Sequence, residues 1–247
     1  SATIHDAHRE GTLTVSQVIQ KSSNIGAAKI ALSMSPNTMW RELSEAGFGT
    51  MPRTGFPGEA SGRLRPAKSW KPIEQATISY GNGISVNLVQ LARAYTLFAT
   101  DGELKPITLL KTDGAVVGQP VIKPKTAAEV RAMLESVTQP GGTAPQAQVR
   151  GYRVAGKTGT AHKLENHVYV NKYVASFVGF APVSNPRLIV AVMIDEPSTG
   201  DYYGGGVAGP VFSEVMGGAL RMLGVPTDAP VDNVKLPTDA ALVKEET

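Results

Sequence analysis

Gly151-Tyr152-Arg153-Val154-Ala155-Gly156-Lys157-Thr158-Gly159-Thr160-Ala161-His162-Lys163 is the stretch that decides the fold class. It opens with a match to G-x-x-x-x-G-K-S/T, the loop that cradles phosphates in many nucleotide hydrolases. That loop works only between a strand and a helix whose amino end points at the phosphates. Here Gly159 and Thr160 follow at once and the sequence stays beta-rich, so no helix is expected to receive a phosphate. Tyr152, Arg153 and Val154 suit a strand better than a tight anion nest. We read the stretch as strand.

On that reading, Lys157-Thr158-Gly159-Thr160 places a cation, two hydroxyls and a side-chain-free position on one short edge strand. Side chains alternate along a strand, so Lys157 points one way and Thr158 the other. Gly159 lets a substrate backbone come close. An edge strand can take up an extended peptide by adding it to the sheet, so this one suits a peptide with a terminal carboxylate. Taken alone, an accidental Lys-Thr-Gly on a surface strand remains the alternative.

Working outward, residues 149–155, 158–164, 173–181 and 188–195 have strand patterning, with polar or proline-containing connections. The links 163–172 and 182–187 are short enough for hairpins, so the sheet is expected to be antiparallel. Gly209-Pro210 is expected to open a last helix with Val211, Val215, Met216 and Leu220 inward and Gly224 past its end.

The amino-terminal part reads as helices joined by turns. Thr14 and Gln17 fit a capping box, and the helix they start should stop near Ser22-Ser23-Asn24. A second helix is expected over 25–32. Ser35-Pro36 begins a third, with Gly47 as its carboxyl-terminal cap. Residues 47–72, rich in glycine, proline and basic side chains, read as irregular loop. A helix is expected over 87–100, and Thr126 with Glu129 caps another carrying Val130, Met133, Leu134 and Val137. The expected class is α/β (α+β): an antiparallel sheet flanked by helices, with a helical subregion. One domain spans 1–225, and 226–247 is a loose tail.

Composition narrows the functions. The 247 residues are 42% hydrophobic and 18% charged, which is ordinary globular composition. With no cysteine, zinc-thiolate sites, thiol nucleophiles and disulfides are excluded together, and an oxidising compartment is compatible. The net charge is +3, and the densest basic cluster, Arg63, Arg65, Lys68 and Lys71, is interleaved with Pro66 and Pro72. We read that cluster as a solvated loop rather than a nucleic-acid stripe. No stretch reaches 18 apolar residues, so any membrane anchor is expected outside these residues.

Ser22-Ser23-Asn24 falls at a helix break, where the Ser22 hydroxyl and the Asn24 amide can point into a cleft. Alone, the tripeptide is an ordinary helix terminus. Ser-x-Asn followed by Lys-Thr-Gly, in this order, resembles two of the three signature motifs of penicillin-binding proteins and serine beta-lactamases. Flanking segments narrow the resemblance: Lys21 to Gly26, Gly55 to Glu59, Ala76 to Gly83, Val154 to Ala161, Phe177 to Pro182 and Ile194 to Pro197. Together they look like class B penicillin-binding proteins of the septal, cell-division type, over residues 4–225. Class A beta-lactamases, which share the general fold, fit these segments poorly.

The resemblance implies a peptidoglycan D,D-transpeptidase domain that cross-links stem peptides through a serine acyl-enzyme. Its nucleophile is the serine of a Ser-x-x-Lys motif upstream of Ser-x-Asn. No serine of this chain has lysine three positions on, so the nucleophile is expected outside it. By resemblance, Ser22 would relay a proton to the leaving group, and Asn24 would bond the substrate amide and orient the missing lysine. Lys157 would supply positive potential and hold Ser22. The Thr158 and Thr160 hydroxyls would bind the substrate's terminal carboxylate beside Gly159, and the Thr160 N–H would form half of an oxyanion hole.

The implied partners are the D-Ala–D-Ala stem peptide, beta-lactam antibiotics and division-complex proteins including a glycosyltransferase. Nucleic acid, metal and organic cofactor are not expected. The implied location is periplasmic, with an inner-membrane anchor upstream. A non-catalytic relative serving as a scaffold and a P-loop nucleotide hydrolase are the competing readings; a strand at Lys157 removes the latter.

Other candidates are weaker. His5 with His8, and His162 with His167, have spacings seen in metal sites, but surface histidines are the plainer account. Asp195-Glu196 resembles a carboxylate pair, but its place before Pro197 points to a structural role. Tyr202-Tyr203 and the glycines 204–206 would shape a cleft rim or form a flexible loop.

Overall fold

The structure is a computed structural model that describes residues 3–8, 10–166, 168–198, 200–236 and 243. Its helices are α1 (Val15–Lys21), α2 (Asn24–Leu32), α3 (Pro36–Glu45), α4 (Pro72–Ile78), α5 (Leu88–Ala94), α6 (Thr96–Ala99), α7 (Pro124–Ser136) and α8 (Gly204–Met222). Its strands are β1 (Glu103–Leu104), β2 (Gln119–Pro120), β3 (Ala155–Glu165), β4 (Val168–Ala181) and β5 (Leu188–Asp195). The chain divides into two compact units. Ser1–Ile4 and Asn24–Ala128 form one; His5–Ser23 and Glu129–Thr247 form the other. Helices and antiparallel sheet together give the mixed class the sequence predicts.

In the first unit, Ser35 caps α3 by accepting the Thr38 N–H at 3.1 Å, with Pro36 in the first turn. Gly47, at φ +95°, ends the excursion one residue past the cap, where a left-handed residue is needed. Gln75 is buried, and its amide donates to the carbonyls of Ala31 and Met34 at 2.8 and 3.0 Å, satisfying groups at and just past the end of α2. Ala31, Met39, Trp70 and Ile78 make the small core of this unit.

The helix α4 was not expected. Its seven residues give too short a window for a helical apolar period to show. The 87–100 helix breaks at Tyr95 into α5 and α6. Thr96 bonds back to Arg93 O at 2.7 Å and also reaches Glu103 O at 3.2 Å, so the hydroxyl competes with the helical ladder. The basic cluster is loop only in part: Arg63 bridges Ser85, Lys68 lies in a 3-10 turn over Ala67–Ser69, and Arg65 pairs with Glu74 at 2.7 Å.

The second unit holds the three-stranded sheet, in the order β3-β4-β5 and antiparallel throughout. Ala155 opposes Phe180, and Thr160 opposes Ala175. Among the described residues β3 therefore has a strand on one side only. The link 182–187 stands as expected. The other link is much tighter, because β3 runs to Glu165 and β4 starts at Val168.

Residues 149–155 do not form the expected strand. Residues 149–152 make a turn closed by the Val149–Tyr152 bridge, with Gly151 at φ +83°, and only Ala155 of that stretch is strand, as the first residue of β3. Thr126 likewise is no cap: α7 begins two residues earlier, at Pro124, and a proline suits a first helical position.

The phase of α8 also differs. It starts at Gly204, not at Pro210, and its inward stripe is Ala208, Phe212, Met216 and Leu220, all fully buried at i+4 spacing. Val211 and Val215, expected inward, are 40% and 50% exposed. Pro210 is tolerated inside the helix because the carbonyl it cannot serve, that of Gly206, finds a donor elsewhere. In the amide orientation that satisfies both of its ends, Gln146 donates to Gly205 O and Gly206 O at 3.0 and 3.3 Å.

The core of the unit centres on Phe177 and Phe212, packed edge to face at 4.7 Å. Burying each contributes about 2 kcal/mol. Gly156 and Gly179 oppose each other in the register and leave room for these rings. A Cβ on Gly156 would lie 2.4 Å from Phe177, and one on Gly179 would lie 3.1 Å from Phe212. The glycine that completes the phosphate-loop match thus accommodates an aromatic ring.

The stretch expected to be loose after Val225 is held over residues 226–236. Gln148 and Lys235 exchange two hydrogen bonds at 2.9 Å each. Asn233 accepts from Gly151 N and donates to Val149 O and Tyr152 O. Asp228 accepts from the backbone of Arg153 and Ser184.

Candidate active site

The site is built on β3 and on the end of α1, both in the second unit. Thr14 and Gln17 form the capping box that starts α1, and the helix ends at Lys21, at the Ser22-Ser23-Asn24 break the sequence predicts. Ser22 is the carboxyl-terminal cap and adopts the left-handed conformation, φ 58° and ψ 44°. The Lys157 Nζ donates to Ser22 Oγ at 2.7 Å, joining residues 135 apart in the chain.

Strand alternation predicts that Lys157 and Thr158 point apart, yet their polar ends meet. Lys157 Nζ is 3.1 Å from Thr158 Oγ1 and 3.3 Å from Thr158 O. The long lysine stem lets the amine reach the neighbouring residue's hydroxyl and carbonyl. Thr158 is buried, and its hydroxyl lies 2.8 Å from that of Thr143, itself buried. Ser22, Lys157, Thr158 and Thr143 thus form one hydrogen-bonded chain. Thr143, in a glycine-led turn, was not singled out in the sequence, because no short motif spacing links it to β3.

Gly159 has a packing reason that the sequence reading did not supply. A Cβ there would lie 2.6 Å from Ser176 Oγ on β4. The first residue of α8, Gly204, sits against the same place: its Cβ would lie 2.7 Å from Gly159 O and 2.4 Å from Ser176 O. Its N–H donates to Thr160 Oγ1 at 2.9 Å. A hydroxyl that accepts one bond can still donate its own proton. Asn24 opens α2 in the other unit and is half-buried.

Beyond Thr160 runs an aromatic series. His162 lies 4.5 Å from Tyr173, Tyr173 stacks on Tyr202 at 4.0 Å, and Tyr202 lies 4.4 Å from Tyr203. Burial, then the bond to Tyr202, pushes the Tyr203 hydroxyl well above the ordinary phenol range. Tyr202 and Tyr203 therefore pack as part of this series just ahead of α8.

Asp195 and Glu196 are structural, as expected. They accept from Lys163 at 2.9 and 2.7 Å, and Glu196 also pairs with Lys172 at 3.5 Å. Among the described residues no set of histidine and carboxylate side chains could hold a metal ion. His162 Nδ1 instead faces Val170 O at 3.0 Å, and His167 lies outside the described residues. A strand at Lys157 leaves no helix to receive a nucleotide phosphate, which removes the P-loop reading.

Residues 1–217 match the penicillin binding protein transpeptidase domain. The chain belongs to that family. Over 241 residues it is 49% identical to a probable peptidoglycan D,D-transpeptidase PenA of Neisseria flavescens, covering 96% of this chain and 60% of the relative. The peptidoglycan D,D-transpeptidase FtsI of Escherichia coli K12 is 41% identical over 227 residues, covering 92% of this chain and 39% of that protein. The apo structure of the TP domain from Burkholderia pseudomallei penicillin-binding protein 3 superimposes with a TM-score of 0.87 at 57% identity, over 91% of this chain and 69% of that one. A structure described as a peptidoglycan glycosyltransferase from Burkholderia ambifaria gives 0.85 at 56% identity, over 93% and 70%. This transpeptidase-domain chain spans 39% to 60% of the length of these curated relatives.

Proposed function

We propose that these residues form the greater part of the transpeptidase domain of a septal peptidoglycan D,D-transpeptidase, a target of beta-lactams. The observation that carries the reading is the 2.7 Å bond from Lys157 Nζ to Ser22 Oγ, which joins the Ser-x-Asn and Lys-Thr-Gly segments. Relatives named as peptidoglycan D,D-transpeptidases support it.

In this reading the serine of a Ser-x-x-Lys motif, absent from these 247 residues, attacks the carbonyl between the two D-alanines of a stem peptide. The carbon–nitrogen bond to the terminal D-alanine breaks, and its amine takes a proton relayed through the Ser22 hydroxyl. An acceptor amine then attacks the ester, forms the cross-link and frees the serine. Lys157 holds Ser22 and adds positive potential. Thr158 and Thr160 donate to the terminal carboxylate beside Gly159, the Thr160 N–H stabilises the oxyanion, and Asn24 bonds the substrate amide. Beta-lactams acylate the same serine and stall the second step.

The setting follows from the same reading: the periplasmic face of the inner membrane, anchored by a segment outside these residues, among division proteins that include a glycosyltransferase. Among the described residues no helix is long and apolar enough to cross a membrane.

The test uses the full-length protein, a fluorescent penicillin and a D-Ala–D-Ala pentapeptide. Losing the charge-assisted Lys157–Ser22 bond in Lys157→Ala or Ser22→Ala is expected to slow acylation by at least about tenfold to a hundredfold. Unchanged acylation in both variants would overturn the reading. Absence of labelling in the unsubstituted protein would favour a non-catalytic scaffold.

A further inference from the structure

The residue next to Ser22 has a partner of its own. Ser23 is 5% exposed, and its hydroxyl donates to Asp6 Oδ2 at 2.6 Å. Asp6 belongs to the segment ahead of α1, 17 residues back in the chain, and in the same compact unit as Ser22 and Lys157. The bond therefore ties that segment across the end of α1.

The turn it holds is an unfavourable one. Ser22 has φ 58°, a region that residues with a Cβ seldom adopt. Such a conformation persists only where its surroundings over-determine it. On the helix side, Ser22 N–H reaches Ile19 O at 3.3 Å and Ser23 N–H reaches Val18 O at 3.0 Å. Together they form a Schellman pair, which closes the helix with Ser22 as the left-handed residue and is the first anchor of the turn. A short hydroxyl-to-carboxylate bond at Ser23 supplies the second anchor. With both anchors in place, Ser22 Oγ stands 2.7 Å from Lys157 Nζ.

We propose that Asp6 is a positioning residue: through Ser23 it locks the left-handed turn that presents the Ser22 hydroxyl to Lys157. The proposal rests on the transpeptidase reading of the Ser22–Lys157 pair. Asp6 touches neither the substrate nor the reacting atoms; it sets the fraction of molecules in which the pair is aligned. Its loss therefore slows the chemical step and spares the initial binding of the ligand.

The experiment uses the full-length protein with Asp6→Ala, Asp6→Asn, Ser23→Ala and the double variant. Beta-lactam acylation is resolved into an initial dissociation constant and an acylation rate constant, and amide hydrogen exchange is followed at residues 22 and 23. For Asp6→Ala the acylation constant is expected to fall about tenfold with little change in the dissociation constant, while both amides exchange faster. Asp6→Asn, which keeps an acceptor oxygen in place, is expected to recover most of the rate. Ser23→Ala should match Asp6→Ala, and the double variant should be no slower than either.

If Asp6→Ala does not fold, Ser23→Ala carries the same comparison. Unchanged amide exchange, or additive effects in the double variant, would overturn the proposal by itself. Wild-type acylation in both Ser22→Ala and Lys157→Ala would instead overturn the parent reading, whatever Asp6 does to the turn.

Discussion

The hydroxyls of Thr143 and Thr158 lie 2.8 Å apart, both residues almost fully buried, and Thr158 also sits 3.1 Å from Lys157 Nζ. A hydroxyl rotates freely unless its neighbours define which way its proton points. Thr143 therefore sets the orientation of a hydroxyl to which we assign a substrate carboxylate. Replacing Thr143 by valine keeps the shape and removes that partner. We expect a stability loss of about 1 kcal/mol, read by thermal melting, and several-fold slower acylation of the full-length protein. Unchanged acylation would show that Thr158 does not depend on Thr143.

Gly204 should admit no side chain. A Cβ would lie 2.4 Å from Ser176 O and 2.7 Å from Gly159 O, both backbone atoms of the sheet. Gly204→Ala is expected to push the first turn of α8 off β3, costing about 1–3 kcal/mol and breaking the N–H bond to Thr160. Gly218 in the same helix has nothing within 4 Å of its Cβ. Gly218→Ala is therefore expected to stabilise by about 0.5–1 kcal/mol. Opposite signs in the two melting curves check both statements.

The phase of α8 makes a second pair. Met216 is fully buried, whereas Val215 is 50% exposed. Met216→Ala is expected to cost about 2–5 kcal/mol and Val215→Ala well under 1 kcal/mol in chemical denaturation. Equal losses would mean that the helix presents another face to the sheet.

The charge cluster at the end of β5 sets two arms of pH dependence. Bonds to Glu196 and then Asp195 push Lys163 up to about 12 from an ordinary value near 10.5, and Lys163 holds the Glu196 carboxyl below its usual 4.5. A lowered acid stabilises the fold above its unfolded value and loses that contribution as pH falls through the folded one. A raised amine stabilises below its unfolded value and loses that as pH rises toward 12. Lys163→Met should flatten the melting temperature both as pH falls below 4.5 and as it rises above 10.5. The groups are solvated, so the effect is small and fades with added salt.

The 247-residue chain alone is expected to take no covalent label from fluorescent penicillin, since none of its serines is followed three positions on by lysine. A labelled band in denaturing gels would place the nucleophile within it.

Local signals hold where one or two turns of chain decide the outcome. Thr14 with Gln17, Ser35 with Pro36, and the bounds of β5 all stand as the sequence predicts. The structure departs from the local signal where distant partners intervene. Pro210 looked like a helix start until Gln146 was there to serve the freed carbonyls, and with the start went the phase of Val211 and Val215. Residues 149–152 looked like strand, but Asn233 satisfies their backbone groups in a turn instead. Thr143 and Asp6 carry no signal of their own, because a single threonine or aspartate is informative only when its neighbour in space is known.

By itself, then, the amino-acid order settled that the chain mixes helices with an antiparallel sheet, that Lys157 lies on a strand, and which family the chain resembles. Those properties depend on periodicity, caps and contiguous motifs, all short-range. The resemblance implied that Lys157 would hold Ser22, and the structure joins them at 2.7 Å; tertiary structure alone decided that Thr143 bonds Thr158, that Asp6 bonds Ser23, and which face of α8 is buried. Each of these is a contact between segments far apart in the chain, and such contacts exist only after the backbone has closed the loops between them.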